Sequence, residues 1–265
     1  MIGIVGSTGW IGKAVIHQMR LNGMEYKPVY REDCLTSQKI HTKLSDISAI
    51  INCASPGSTE SSYRMYVDIT RMVANEALRC HIKYLHIGSA SEFGVPQAEY
   101  ISDEHPIIPI SRYGEIKGET SRIAQSLGGF VVRPFNILGP NQPVTTPAGE
   151  WIQALSDISL ERPALIIRNG SLVRDYVPLS YVAKVLVVLT QTSFHFPEVN
   201  ICSEVGTSFD SLADLLILRS GSRHSRLSSY EGGIPRVVGR ATNLRQLGLF
   251  ENQEIRQIVD KIFDY

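Results

Sequence analysis

The chain has 265 residues, 43% of them hydrophobic and 20% charged, with 26 basic and 26 acidic side chains and a formal net charge of zero. That length suits one large domain or a domain with a small lobe, and the balanced charge argues against nucleic acid or an anionic membrane as a partner. No window approaches the roughly eighteen uninterrupted apolar residues that a spanning helix needs.

Strand and helix signals alternate from the first residues, which implies a parallel sheet with helices on both faces. Ile2–Val5 is an apolar strand, and the helix from Trp10 to about Leu21 stops at Asn22-Gly23, a C-cap signal. Glu25–Tyr30 reads as strand two, about Thr36–Leu44 as a short helix and Ala49–Cys53 as a fully apolar strand. A long helix over roughly Ser61–Cys80 leads to strand Tyr84–Ile87. Ser111 is a fitting N-cap for a helix that Gly128-Gly129 closes, and Phe130–Phe135 is the next strand. After about Pro140 the pattern is mixed, with Pro143, Pro147, Pro163 and Pro178 punctuating short elements.

Two features carry chemistry. IGIVGSTGWIG at 2–12 runs an apolar strand straight into Gly6, Gly9 and Gly12, a turn that lets backbone N–H groups approach a pyrophosphate at a helix N-terminus. Tyr113 and Lys117 lie at i and i+4 on one helix face, where an ammonium lowers a phenol's pKa by charge proximity. Such a phenol exchanges a proton with a carbonyl or alcohol while a nicotinamide exchanges hydride. Alone, the first is also a tight turn with no ligand and the second a helix surface. In this order they point to a nicotinamide-dependent oxidoreductase. Cys34, Cys53, Cys80 and Cys202 have no metal-like spacing and read as reduced thiols, His81, His86, His195 and His224 form no metal pattern, and no metal is expected. With the first strand starting at Met1, no leader peptide is expected, and the cytoplasm is the expected location.

The chain resembles the extended short-chain dehydrogenases/reductases, the NAD-dependent epimerase/dehydratase family, in its nucleotide-sugar-modifying branch. The resemblance rests on GSTGWIG at 6–12, INCAS at 51–55, IGSASEFG at 87–94, YGEIK at 113–117, RPFNILGP at 133–140 and VRDYVPLSYVA at 173–183, with a weak NLRQLGL at 243–249. It implies a Rossmann-type doubly wound parallel sheet in an NAD(P)-binding domain over 1–140. A smaller substrate-binding lobe follows over 141–265, with crossovers back to the sheet. The interval before Ala49–Cys53 is short for the family, so a strand and a helix are expected to be trimmed there.

Residue by residue, the resemblance assigns Ser89 as the catalytic hydroxyl, with Ser91 as the alternative, Tyr113 as acid/base, and Lys117 on the nicotinamide ribose and the tyrosinate. It places cofactor contacts at Gly6, Ser7, Gly9, Trp10, Ile11, Gly12, Tyr30, Arg31, Cys53, Ala54, Ser55, Pro134 and Phe135, and substrate contacts at Ser89, Ser91, Asn136 and Arg174. Where related NAD enzymes carry Asp at the end of strand two, this chain has Tyr30 and Arg31, which favours NADP through a guanidinium–phosphate fork. NAD remains the alternative if Glu32 or Asp33 holds the ribose. Arg174 matches an arginine on a nucleotide-sugar diphosphate, against a surface ion pair with Asp175; Arg168, Arg236 and Arg240 share its lobe.

The chain also departs from the family. Ala90 and Ser91 stand where dehydratases carry an Asp-Glu pair, so dehydration is not expected. Tyr66 stands at the Asn of the family's N-x-x-G-T, and Gly239 near the place of an acid in the last motif. The leading expectation is an NADPH-dependent reductase of a nucleotide-linked 4-keto-(deoxy)sugar. An NAD-dependent 4-epimerase and a non-catalytic dinucleotide-binding regulator are the alternatives. A homodimer through the helices at 61–80 and 112–127 is implied.

Overall fold

Short apolar runs separated by amphipathic stretches become strands whose alternate side chains feed two different layers. The computed structural model describes residues 1–156 and 164–263, so Pro163 lies outside the described residues. In chain order the first half holds β1 (Ile2–Val5), α1 (Trp10–Leu21), β2 (Tyr26–Val29), α2 (Ser37–Leu44), β3 (Ala49–Asn52), α3 (Glu60–Arg79), β4 (Lys83–Ile87), α4 (Arg112–Ser126), β5 (Phe130–Pro134) and β6 (Asn136–Leu138). The second holds α5 (Pro147–Ser156), β7 (Ala164–Arg168), β8 (Val173–Pro178), α6 (Leu179–Leu189), β9 (Glu198–Ile201), β10 (Gly206–Ser208), α7 (Phe209–Ser220), β11 (Ser225–Ser229), β12 (Arg236–Val237), α8 (Thr242–Gln246) and α9 (Ile255–Phe263). Short 3-10 turns at Arg31–Cys34 and Ala90–Phe93 follow β2 and β4. Among the described residues no helix is long and apolar enough to cross a membrane.

The main sheet has six parallel strands among the described residues, in the order β2-β1-β3-β4-β5-β9. Winding reverses between β1 and β3, and the crevice at their carboxyl ends is where open α/β sheets take ligands. No described strand lies outside β2, in keeping with the trimmed interval. Ile4, Ile51, Leu85 and Val132 bury one face of the sheet against Val15 of α1 and Leu186 of α6. Ile50, Tyr84 and Val131 bury the other against Ile40 of α2 and Val73 of α3. A third cluster, with Trp151, Leu165, Tyr176 and Leu216, forms the core of the second half. There β8 is the hub, flanked by β6, β10 and β12, while β7 pairs with β11. The chain passes back to the main sheet through β9, which lies beside β5.

Element ends differ from the sequence expectation by one or two residues, for identifiable reasons. Strand two stops at Val29 and strand three at Asn52 because both pair with Val5, the last residue before the glycine turn. Thr36, Thr59 and Ser111 stand outside their helices as N-caps, each accepting a backbone N–H three residues on. Past α1, Gly23 takes a φ of +64° to close the helix.

One buried charge ties these layers together. Arg133, 1% exposed on β5, donates from Nε to Glu92 at 2.7 Å and from Nη1 to Glu198 of β9 at 2.5 Å. Glu92 is fully buried and also accepts from the Ser121 hydroxyl at 2.9 Å. Arg133→Leu leaves carboxylates without their cation, so it should lower the free energy of unfolding by about 3–5 kcal/mol in urea titrations. A loss below about 1 kcal/mol would mean the carboxylates find other partners.

Candidate active site

The glycine turn is a backbone cradle. Gly6 has a φ of +72°, and a Cβ on it would lie 2.6 Å from the Ala54 nitrogen; one on Gly12 would lie 2.2 Å from the Gly6 carbonyl oxygen. The turn therefore closes against the exit of β3, and α1 starts directly above it. Gly9 caps α1 with no side-chain hydrogen bond, and the first turn of α1 holds no acid. Its leading N–H groups suit a pyrophosphate, so the cradle fits a dinucleotide. Ser7 is buried in the turn and Ile11 packs on the core, while the Trp10 indole donates to the Pro140 carbonyl at 2.8 Å, fastening the turn to the segment after β6.

At the end of β2 the charges sort themselves. Asp33 accepts from the Tyr30 backbone N–H at 2.8 Å and pairs with Lys43 at 3.1 Å. Arg31 is exposed and makes no ion pair among the described residues. Tyr30 presents an exposed ring, with the Lys43 ammonium 5.5 Å from its centre. At the end of β3, Asn52 is buried, donating to the Tyr84 hydroxyl at 2.8 Å and accepting from Ala54 N–H at 3.1 Å. Burial pushes the neighbouring Cys53 thiol up to about 12, so it is a core residue and not a nucleophile. Ser55 is exposed beyond it.

The candidate catalytic trio comes from two elements pressed together. Ser89 caps the turn Ala90–Phe93, its backbone N–H donating to Glu92 Oε1 at 2.7 Å. Its hydroxyl accepts from Ser91 N–H at 3.1 Å and donates to the Ser91 hydroxyl at 3.1 Å, so the two candidate hydroxyls are hydrogen-bonded to each other. A Cβ on Gly114 would lie 2.3 Å from the Ser91 carbonyl oxygen, which shows how closely the start of α4 abuts that turn. Tyr113 stands beside this contact, 39% exposed. Lys117, one turn along, is 2% exposed and donates to the Ile87 carbonyl at 2.5 Å and to the Tyr66 hydroxyl at 2.9 Å.

Around the candidate substrate residues the structure separates side chains adjacent in sequence. Arg174 does not pair with Asp175. Asp175 is buried and accepts from Ser203 N–H and hydroxyl, both at 2.7 Å, from Glu204 N–H at 2.9 Å and from Gly239 N–H at 3.2 Å. Burial pushes its carboxyl up to about 6 despite those donors. Arg174 donates to the Val173 and Ile234 carbonyls and lies 5.5 Å from the Phe209 ring; no acid pairs with it among the described residues, and burial lowers its pKa. On the adjoining strand, Arg236 has a buried Nε with no hydrogen-bond partner among the described residues. Arg240 is taken by Glu204 at 3.0 Å, and Arg168 is exposed at the end of β7. Asn136 donates to the Asp175 carbonyl at 3.0 Å, fastening β6 to β8. Pro134 and Phe135 are buried; the Phe135 ring is core, 6.4 Å from that of Phe93, and its backbone N–H donates to the Ile201 carbonyl at 2.9 Å. Gly239 is steric: a Cβ there would lie 2.6 Å from Cys202 and 2.7 Å from Phe135.

Sequence reasoning passed over Glu92 and Arg133, although Ser89-x-x-Glu92 has the spacing of a capping box. It also passed over a trio in which His41, Glu76 and Cys80 bring ligand atoms within 4.8 Å of one another. Arg79 lies on the same carboxylate at 2.6 Å, holding Glu76 down to about 2.

Residues 2–202 match the model of the NAD dependent epimerase/dehydratase family. A curated relative, GDP-6-deoxy-D-talose 4-dehydrogenase of Aggregatibacter actinomycetemcomitans, is 23% identical over 70% of this chain and 62% of its own length, so the match spans less than two thirds of that protein. Among solved structures, a dTDP-4-dehydrorhamnose reductase of Bacillus anthracis in complex with NADP superposes with a TM-score of 0.85 at 15% identity, over 99% of this chain and 98% of the other. A dTDP-glucose 4,6-dehydratase of the same organism, in complex with NAD, gives 0.84 at 17% identity over 98% and 94%. Glycine turn, strand order and helix-borne Tyr–Lys pair agree with that match, and the chain belongs to the NAD dependent epimerase/dehydratase family.

Proposed function

We propose that this chain is an NADPH-dependent reductase of a nucleotide-linked 4-keto-(deoxy)sugar. The observation that carries the reading is the pair on α4: an accessible Tyr113 phenol one turn from a buried Lys117 ammonium that has no acid partner among the described residues. A lone cation there favours the tyrosinate left after proton donation. The dinucleotide, when bound, supplies the hydride. Tyr113 gives its proton to the ketone oxygen as the carbon is reduced, Ser89 or Ser91 holds that oxygen, and the exposed phenol regains a proton from water. Ala90 and Ser91 offer no carboxylate for removing a proton beside the ketone, which speaks against dehydration. The relative named for dehydrogenation at position 4 fits chemistry at that carbon.

At the end of β2, Asp33 is engaged by Tyr30 and Lys43 while Arg31 is exposed, an arrangement that supports a 2′-phosphate. Arg174, with no acid partner, and Arg236, whose Nε has no hydrogen-bond partner, both among the described residues, support a diphosphate on the substrate. The second reading, an NAD-dependent 4-epimerase, is favoured by one observation: Glu32 is exposed beside Arg31 and could take the ribose hydroxyls. The family resemblance supports a homodimer through the helices at 61–80 and 112–127.

Three variants test this. Tyr113→Phe should cut turnover by about 10²–10⁴ with cofactor affinity held within a few-fold, since only the proton donor is lost; full activity would end the mechanism. Arg31→Ala should weaken NADPH by about 1.5–3 kcal/mol and NADH much less. Tightly retained NAD in the purified protein, unaffected by that change, would replace the reductase by the epimerase. Arg174→Ala should raise the KM for a nucleotide sugar by a comparable free energy, about 1.5–3 kcal/mol; an unchanged KM removes it from the diphosphate.

A further inference from the structure

Lys117 is the residue around which a departure from the family pattern acquires a purpose. Lys117 is 2% exposed, and no carboxylate pairs with its ammonium among the described residues. A buried unpaired cation is costly, so each neutral oxygen that solvates it matters. Two do: the Ile87 carbonyl at the end of β4, at 2.5 Å, and the Tyr66 hydroxyl of α3, at 2.9 Å. An ammonium has three donors. With two engaged on protein oxygens, one remains for a ligand.

Tyr66 is itself held on all sides. It is 3% exposed, its hydroxyl neighbours the Thr120 hydroxyl, and Thr120 meets His86 Nε2 at 3.2 Å. His86 in turn touches Tyr84 and Asn52, both at 3.4 Å. Burial pushes the Tyr66 and Tyr84 phenols up and the His86 imidazole well down, the latter with help from Lys117 and Arg133. All three are therefore neutral, and the chain of hydrogen bonds runs inward to buried groups. It backs the Tyr66 acceptor with buried hydrogen bonds and does not lead toward solvent.

We infer that Tyr66 is a positioning residue for the reaction: its neutral phenol holds the Lys117 ammonium in place for Tyr113 and the nicotinamide ribose, at the point where the family pattern carries an asparagine. The inference rests on the reading of Lys117 as the residue that serves both. A tyrosine reaches further than an asparagine, so the oxygen meets the ammonium directly, and the ring lies close as well, its centre 5.2 Å from Nζ. Ring and backbone would survive in Tyr66→Phe; only the acceptor is removed.

The experiment is a double-mutant cycle on Tyr66→Phe and Lys117→Met, with NADPH and NADH affinity read by fluorescence titration, and kcat and KM read with a ketosugar nucleotide. Tyr66→Phe should weaken the preferred cofactor about tenfold and lower kcat by a similar factor while leaving the sugar KM unchanged. In the Lys117→Met background the same change should add less than about twofold to the loss, because the group it positions is gone. Equal effects in both backgrounds, or an unaltered cofactor affinity in Tyr66→Phe, would overturn the inference. Thermal unfolding supplies a second arm if the single variant is unstable. Tyr66→Phe leaves a buried ammonium short of an acceptor, so Lys117→Met should restore its melting temperature; a further drop would overturn the inference as well. Both binding and unfolding are measured without turnover, so a failure to reduce any ketosugar removes the substrate reading and leaves the role of Tyr66 standing.

Discussion

Arg133 bridging Glu92 and Glu198 is the contact on which both the sheet and the site depend. A guanidinium 1% exposed is tolerable only with its donors satisfied, and it obtains them from a turn after β4 and from β9. Glu92 offers its other oxygen to the Ser89 backbone N–H and the Ser121 hydroxyl. One charge network thus sets the turn that carries the candidate hydroxyls, the helix that carries Tyr113 and Lys117, and the strand that returns the second half of the chain to the sheet. Its members are charged, so displacing any of them exposes the full desolvation cost of the rest.

The distribution of the remaining charges is equally selective. The chain is neutral overall, yet Lys117 and Arg174 have no acid partner and Arg31 makes no ion pair among the described residues. Several acids near them are engaged elsewhere. Asp33 caps the turn after β2, Asp175 gathers four donors from Ser203, Glu204 and Gly239, and Glu204 takes Arg240 and Arg245. Local unbalanced cations within a neutral molecule favour anionic ligands without attracting polyanions over the whole surface.

Much of the fold is legible in the sequence because its determinants are local. Alternating apolar runs with Gly and Asn at their ends place β1, α1, β3 and β4 within a residue or two, and Gly6, Gly9 and Gly12 announce a cradle that only glycine permits. Tyr113 and Lys117 share a helix face by spacing alone. Where boundaries shift, the cause is not local: β2 and β3 end where Val5 ends, a limit imposed by a neighbouring strand.

The sequence by itself determined the alternation of strand and helix, the glycine cradle and the helix-borne phenol–ammonium pair, since turn stereochemistry and helical periodicity act over a few residues. Only the tertiary structure decided what those groups meet. Tyr66 reaches Lys117 across 51 positions, Trp10 reaches Pro140 across 130, and Asp175 turns from its neighbour Arg174 to Ser203 and Gly239. Such contacts follow from strand register and from the packing of α3 on α4, which place side chains by the path of the whole chain. The pairing of a buried charge is settled by whichever oxygen that packing brings within about 3 Å, and no spacing in the sequence records it.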